Sequence, residues 1–255
     1  MDETTNFLNI PNKRTALIVG ARGGLGQAFC ERWSQLDPSL SIVAASRNTE
    51  WCAEDTDNPK ISRLEMDIGS EESVESAASY IRERELKLNV VINCSGLLHT
   101  PSFSPERALK ELSMEKMRKV FEVNTFGVAM LLKYFVPLFP RNERTIFASC
   151  SARVGSIGDN RLGGWYSYRA SKAAQNMMIR TAAIEVRRLR RECICIALHP
   201  GTVISELSAP FTKRKDPSKL FSPDFSATKL TQVLEKLSIE DSGEFFAYDG
   251  SRIEW

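Results

Sequence analysis

The 255-residue chain predicts a single α/β domain in which a doubly wound, seven-stranded parallel sheet carries helices on both faces. Three observations predict it. Seven short apolar runs alternate with segments of helix length, the runs are apolar on both sides of the strand, and a glycine cluster follows the first of them. Strands that alternate with helices favour parallel pairing, because each crossover needs about a dozen residues. Strands without polar alternation suit a sheet covered on both faces.

Residues 1–13 read as a polar N-terminal extension. The stretch RTALIVGARGGLGQAFCERW then gives the first strand, a glycine turn and the first helix. Further strands are SIVAAS (41–46), ISRLEM (61–66), NVVINCSG (89–96), RTIFAS (144–149), CICIALHPG (193–201) and EFFAY (244–248). A helix over 71–86 opens with acidic residues after Ser70, as an N-cap requires. Others are predicted at 113–137, 165–190 and 227–237. No linker-like tract, repeat or low-complexity block divides residues 1–255 into two domains. Two segments, 97–112 and 204–223, are rich in turn formers and follow strand ends, where such folds place ligand sites. The length and Pro/Ser content of 204–223 predict a substrate loop or lid.

The 34 basic and 32 acidic residues nearly cancel, which argues against a nucleic-acid or anionic-membrane partner. The basic run RRLRR (187–191) fits a helix C-terminus, where cations offset the dipole. No basic leader precedes a long apolar run, and no segment approaches the roughly 20 apolar residues of a membrane span. A soluble, cytoplasmic protein is the expectation. The cysteines at 30, 52, 94, 150, 193 and 195 form no C-x-x-C pair, and only two histidines accompany them, so neither a metal site nor a disulfide framework is expected.

Gly20, Gly24 and Gly26 in VGARGGLG follow the first strand and open the first helix. Helix-start N–H groups attract an anion, and glycine lets backbone approach it closely. Alone, the G-x-x-x-G-x-G spacing fits a structural turn as well. At the end of the second strand, where a fold preferring NAD places an acid for the ribose hydroxyls, the chain has Ser46 and Arg47, and Arg22 sits inside the glycine loop. Arginines can grip a 2′-phosphate that an acid would repel, so NADP(H) is expected over NAD(H).

Tyr168 and Lys172 stand four apart on a predicted helix and share a face, whereas Tyr166 has Ala170 at that spacing. An adjacent ammonium favours the phenolate and so lowers a tyrosine pKa, which only Tyr168 can exploit. Taken alone, Y-x-x-x-K usually marks an ordinary exposed pair.

The glycine turn, NCSG (93–96), Asn124 in VFEVNTFG, Ser151, YRASK (168–172) and PGTV (200–203) occur in an order and spacing that resemble the short-chain dehydrogenase/reductase family. The resemblance runs from about Arg14 to the C-terminal YDG, and SARVGSIGDNRLGGWYSYRASKAA is most similar to the C-factor-like group. It implies a Rossmann-like fold and an oxidoreductase that interconverts a carbonyl and an alcohol by hydride transfer. Tyr168 would be the general acid/base, Lys172 would bind the nicotinamide ribose and lower the Tyr168 pKa, Ser151 would hydrogen-bond the substrate carbonyl, and Asn124 would support a water and lysine proton relay. Cofactor contacts are implied for Gly20, Arg22, Gly23, Gly24, Leu25 and Gly26, for Ser46 and Arg47, and for Asp67 and Ile68 near the adenine. They are also implied for Asn93, Cys94, Ser95 and Gly96, for Tyr168 and Lys172, and for Pro200, Gly201, Thr202, Val203 and Ser205. The family's habits further imply a homodimer or homotetramer.

Departures from the family pattern are Val19 in place of a threonine, Arg22 one position early, and 17 residues from Ser151 to Tyr168, which points to an insertion in GDNRLGGW. That insertion leaves Ser149 as the alternative to Ser151, which aligns through SARVG. His99 and His199 need no catalytic role, and Cys94 and Cys150 read as small buried side chains. Leu97, Leu98, Phe103, Trp165, Leu207, Phe211 and Phe221 are candidates for an apolar pocket or for loop packing. A nucleotide-binding signalling or regulatory protein with little catalysis is the alternative to an enzyme.

Overall fold

All seven apolar runs form strands: β1 (Thr15–Val19), β2 (Ser41–Ser46), β3 (Ile61–Glu65), β4 (Leu88–Asn93), β5 (Thr145–Cys150), β6 (Cys193–His199) and β7 (Phe245–Ala247). The computed structural model describes residues 7–11, 14–189, 192–213 and 216–255. Residues 1–6 and 12–13 of the expected extension, 190–191 of the basic run and 214–215 of the 204–223 segment lie outside the described residues.

The strands form one parallel sheet in the order β3-β2-β1-β4-β5-β6-β7. Because strand side chains alternate, Leu17 and Val19 enter one core while Ala16 and Ile18 enter the other. β4 breaks this alternation with a bulge: Thr15 pairs with Leu88 but Ala16 with Val90. The extra residue, Asn89, donates from Nδ2 to the Arg144 carbonyl at 3.1 Å, and the slip lets Leu88 and Val91 share one core.

The helices are α1 (Gly24–Leu36), α2 (Thr49–Ala53), α3 (Glu71–Glu83), α4 (Met114–Phe121), α5 (Gly127–Phe135), α6 (Tyr166–Arg188), α7 (Ala209–Thr212) and α8 (Pro223–Lys236). A π-helical turn, Glu122–Phe126, joins α4 to α5. Trp33 of α1 and Leu230 and Leu234 of α8 cover one face of the sheet. Val74 of α3, Leu131 and Phe135 of α5 and Ile179 of α6 cover the other. Ser70 caps α3 as expected, its Oγ accepting from Ser73 N at 3.2 Å. α8 starts at Pro223, before the expected 227, because Ser222 Oγ caps it through Phe225 N at 3.1 Å and proline suits a first turn.

Two expectations change. The N-terminal segment is not merely a polar lead: Leu8 and Ile10 are buried, and Phe7 packs edge-on against Trp33 at 5.7 Å. Arg144 Nε donates to the Leu8 carbonyl at 2.9 Å, so this segment clasps the sheet. The helical run Met114–Leu138 spans 25 residues and is by length and composition apolar enough to cross a membrane, contrary to the expectation of none. Its inward residues Val128, Leu131, Leu132 and Phe135 belong to the core of this fold.

Candidate functional site

Between β1 and β4 the strand order reverses, so the loops that follow these two strands lead to opposite faces and leave a crevice at the carboxyl edge. A cleft of about 1390 Å³ occupies it, lined by the segments that follow β1 through β6.

One end of the cleft is the glycine turn. Gly20 has φ 78°, and a Cβ there would stand 2.9 Å from Ser95 N. A Cβ on Gly26 would overlap the Gly20 carbonyl oxygen and come within 2.8 Å of Ala21 Cα. These contacts explain the glycines by close backbone approach. Gly23 precedes α1 without a side-chain cap, which leaves the helix-start N–H groups facing the cleft with no side chain satisfying them. Gly24 and Leu25 complete this wall. Arg22 and Arg47 are exposed at its rim. Ser46 is buried beneath, its Oγ accepting from Asn48 N at 3.3 Å.

Asp67 and Ile68 line the cleft, but Asp67 Oδ1 is engaged by its own turn through Gly69 N at 2.9 Å. Cys94, Ser95 and Gly96 also line it. Asn93 does not: it is buried, with Oδ1 accepting from Ser95 N at 3.0 Å and Nδ2 donating to Ser149 Oγ at 2.9 Å. Pro200, Gly201, Thr202, Val203 and Ser205 form the wall after β6. Gly201 has φ 79°, and a Cβ on it would meet the Phe221 ring at 2.5 Å.

At the other end stand Ser151, Tyr168 and Lys172. Ser149 is spent, accepting from Asn93 and from Gln175 Nε2 at 3.0 Å. Ser151 Oγ is buried with no hydrogen-bond partner among the described residues, although the residue lines the cleft. This separates the two serines on geometry. Lys172 Nζ donates to the Cys150 carbonyl at 2.9 Å and to Gln175 Oε1 at 2.8 Å. Asn124 lies behind the cleft, in the π turn. Its Oδ1 accepts from Leu97 N at 2.7 Å, and its Nδ2 donates to the Leu97 carbonyl at 2.8 Å and to Ser171 Oγ at 3.0 Å. Tyr166 is half-buried and does not line the cleft.

The electrostatics differ from expectation. Burial pushes the Tyr168 phenol well above its ordinary range, with a smaller push from Cys150, whereas Lys172 was expected to lower it. Burial also pushes Lys172 down to about 8, opposed by Cys150. Desolvation dominates because both side chains are nearly withdrawn from water, at 7% and 2% exposure, and Lys172 Nζ stands 5.8 Å from the Tyr168 ring centre.

The expected insertion ends in three consecutive left-handed residues, Gly163, Gly164 and Trp165, with φ of 62°, 67° and 52°. For a side chain as large as an indole this conformation is strained. It is held by Arg169, which donates to the carbonyls of Gly164 at 2.9 Å and Gly163 at 3.1 Å, and by the Glu106 carbonyl, which accepts from Trp165 N. The strain places Trp165 edge-on to Tyr168 at 6.2 Å and to Phe211 of α7 at 5.1 Å. Leu97, Leu98 and Leu207 line the same end of the cleft. Phe103 and Phe221 do not, and Phe221 packs on Tyr248 at 4.7 Å.

Glu106 carries no signal in the sequence. Only 2% exposed, its carboxylate accepts from Ser167 Oγ and from Ser167 N at 3.1 Å, capping the helix that carries Tyr168. Gln175 lies outside the expected site as well, although its i, i+3 spacing from Lys172 is a readable signal. His199 Nδ1 accepts from Arg153 N at 3.3 Å, and His99 Nε2 meets the Glu206 carbonyl at 3.2 Å. Among the described residues no cluster of three or more His, Cys, Asp or Glu side chains is placed to hold a metal ion.

The chain is similar to known proteins in sequence and in fold. The chain is 29% identical over 246 residues to a 1-hydroxy-2-glutathionyl-2-methyl-3-butene dehydrogenase of Rhodococcus sp. strain AD45, covering 94% of this chain and 99% of that one. It is 30% identical over 148 residues to the C-signal protein of Myxococcus xanthus, covering 58% of this chain and 84% of that one. An NADPH-bound carbonyl reductase from chicken fatty liver has the same fold, with a TM-score of 0.82 at 24% identity and coverage of 97% and 96%. The family model described as short chain dehydrogenase matches residues 14–216. With most of its length matched, the glycine turn and the Tyr168 helix included, the chain belongs to the short chain dehydrogenase family of oxidoreductases.

Proposed function

We propose that the protein is an NADP(H)-dependent oxidoreductase that interconverts a carbonyl and an alcohol. The observation that carries this reading is the placement of Tyr168, Lys172 and a Ser151 hydroxyl without a hydrogen-bond partner among the described residues at one end of a cleft whose other end is an uncapped helix start flanked by arginines.

The residues fit a dinucleotide. Gly20 and Gly26 leave room that a Cβ would fill, the first turn of α1 has no side-chain cap, and the β2 end presents Arg47 rather than an acid. Gly20 to Gly26 would hold the pyrophosphate, Arg22 and Arg47 a 2′-phosphate, the Asp67, Ile68 and Cys94 to Gly96 turns the adenosine half, and Pro200 to Ser205 the nicotinamide half. When bound, the cofactor supplies or accepts the hydride. The chain's own residues manage the proton and the charge. Tyr168 donates its phenolic proton to the carbonyl oxygen as negative charge develops there. Ser151 Oγ donates a hydrogen bond to the same oxygen. Lys172 steadies the phenolate that remains, and Asn124 fixes Leu97 and Ser171 around them. Trp165, Phe211, Leu97 and Leu98 give the substrate end an apolar wall, so the carbonyl sits on an apolar body.

Tyr168→Phe is expected to remove NADPH-dependent carbonyl reduction, by about 100-fold or more, while leaving NADPH binding intact; undiminished turnover overturns the reading. Titration of both reduced cofactors should show tighter binding of NADPH, and tighter NADH binding overturns the cofactor assignment. The likeness to C-signal supports a second, regulatory reading. Failure to oxidise NADPH across aldehydes, ketones, quinones and ketosteroids would favour it. Exposed Met114, Phe126, Met177 and Ile184 on α4, the π turn and α6 support self-association as a homodimer or homotetramer, which light scattering decides.

A further inference from the structure

Lys172 is a charged side chain in a place that water barely reaches, 2% exposed. Its ammonium has donors only, so the Gln175 amide at 2.8 Å must face it with oxygen and point Nε2 away. That nitrogen donates to Ser149 Oγ at 3.0 Å. The Asn93 amide is oriented independently: the backbone N–H of Ser95 requires its oxygen, at 3.0 Å, which turns its nitrogen to Ser149 at 2.9 Å. Both amides therefore agree on Ser149 as an acceptor. Asn93, Ser149 and Gln175 are all 1% exposed or less, and they join the turn after β4 to the lysine on α6.

An apolar core would be cheaper at positions 149 and 175, since a buried amide or hydroxyl costs free energy unless it is fully satisfied. The groups around Lys172 show why these two are polar. On its own helix it faces Tyr168, and at the end of β5 it faces Cys150, whose thiol contacts Cys94 at the end of β4. Asn124 and Gly155, from the π turn and the loop after β5, are neutral. Among the described residues no carboxylate opposes the effect of burial on the ammonium, which Cys150 favours. The acceptors that remain are the Cys150 carbonyl and Gln175.

We propose that Gln175 is a positioning residue that keeps Lys172 charged and directed at the cleft, and that Ser149 and Asn93 hold Gln175 in the one orientation that does so. The inference rests on the reading of Lys172 as the partner of Tyr168.

The test is a titration of the full chain labelled with 13Cε-lysine, the Lys172 signal being assigned by its loss in Lys172→Arg. Gln175→Met keeps the length and removes the acceptor. Lys172 should then titrate about one unit lower than in the wild type, and Gln175→Glu should move it up by a similar amount. The alkaline limb of kcat for carbonyl reduction should follow, so that Gln175→Met loses about tenfold more turnover at pH 9 than at pH 6. A purely structural role would lower turnover alike at every pH. Should Gln175→Met fail to fold, Ser149→Ala, which removes only the partner of Nε2, is expected to shift the titration downward by less. An unchanged Lys172 titration in the folded variants overturns the proposal. Shifted titrations in a chain that reduces no carbonyl would support Gln175 as the anchor of Lys172 while defeating the oxidoreductase reading.

Discussion

Lys172→Met should change how stability depends on pH. Burial lowers the lysine from 10.5 to about 8 in the folded chain, a difference of about 3 kcal/mol at roughly 1.36 kcal/mol per unit. Because the folded value is depressed, the unfolded chain binds more protons at this site between pH 8 and pH 10.5, so folding stability rises with pH through that window. Below pH 8 the whole cost of burying the ammonium is present, and above 10.5 it is absent. The side chain is 2% exposed, so little solvent screening reduces the effect. Methionine has a similar length and no titration. Denaturant unfolding of both proteins at pH 7.5 and pH 10 should therefore show the wild type gaining about 2 kcal/mol relative to Lys172→Met. Taking the difference between the two proteins cancels the titrations they share. Parallel stability curves over this range would refute the argument that burial governs Lys172.

Glu106→Ala should destabilise the chain by about 1–3 kcal/mol in denaturant unfolding, because Ser167 N and Oγ lose their acceptor at the buried start of α6. Glu106→Gln keeps an acceptor and should lose less; equal losses would count against the capping account. Gly26→Ala forces a Cβ against the Gly20 carbonyl and Ala21 Cα. Calorimetry should then find dinucleotide affinity at least about tenfold weaker, since the turn must open, and unchanged affinity would show that the turn is not the phosphate cradle. Trp165→Ala removes the ring that meets both Tyr168 and Phe211. KM for apolar carbonyls should rise about tenfold while NADPH binding is spared, and an unchanged KM would move the substrate wall elsewhere.

The strands were legible as short apolar runs set between turn formers, and the long helices as the segments of helix length between those runs; the bulge at Asn89 shifts the pairing of β4 without breaking its run. α2 and α7 were not, being too short for a period. The start of α8 lay in a turn-rich stretch where Ser222 and Pro223 read equally well as loop. Leu8 and Ile10 are two apolar residues in a polar lead, and only tertiary contact with Trp33 and Arg144 makes them core. At the site, the glycine turn and the Tyr168 to Lys172 spacing were readable because each is set by local backbone geometry. Glu106 was unreadable, since a loop carboxylate is normally exposed and its partner Ser167 lies 61 positions away. The direction of the Tyr168 shift differs from the expectation for a related reason: spacing shows that an ammonium is near, but not how much water both groups have lost.

That loss of water bears on how the proposed chemistry works. Burial pushes Tyr168 up, so at neutral pH the phenol keeps its proton, while Lys172 at about 8 is still mostly an ammonium. The resting pair thus carries the proton that a nascent alkoxide needs. Once the proton leaves, the phenolate is the form that burial disfavours, and the ammonium on the next turn of α6 is the charge placed to compensate it. The attraction between them is absent before transfer and grows during it, in surroundings that screen it poorly. An interaction that strengthens toward the transition state accelerates a reaction, whereas one present throughout does not. The burial that makes Lys172 costly to the fold is, on this reading, the same burial that makes it effective. The Cys150 carbonyl and Gln175 then have a definite task, to keep the charge in place until it is used.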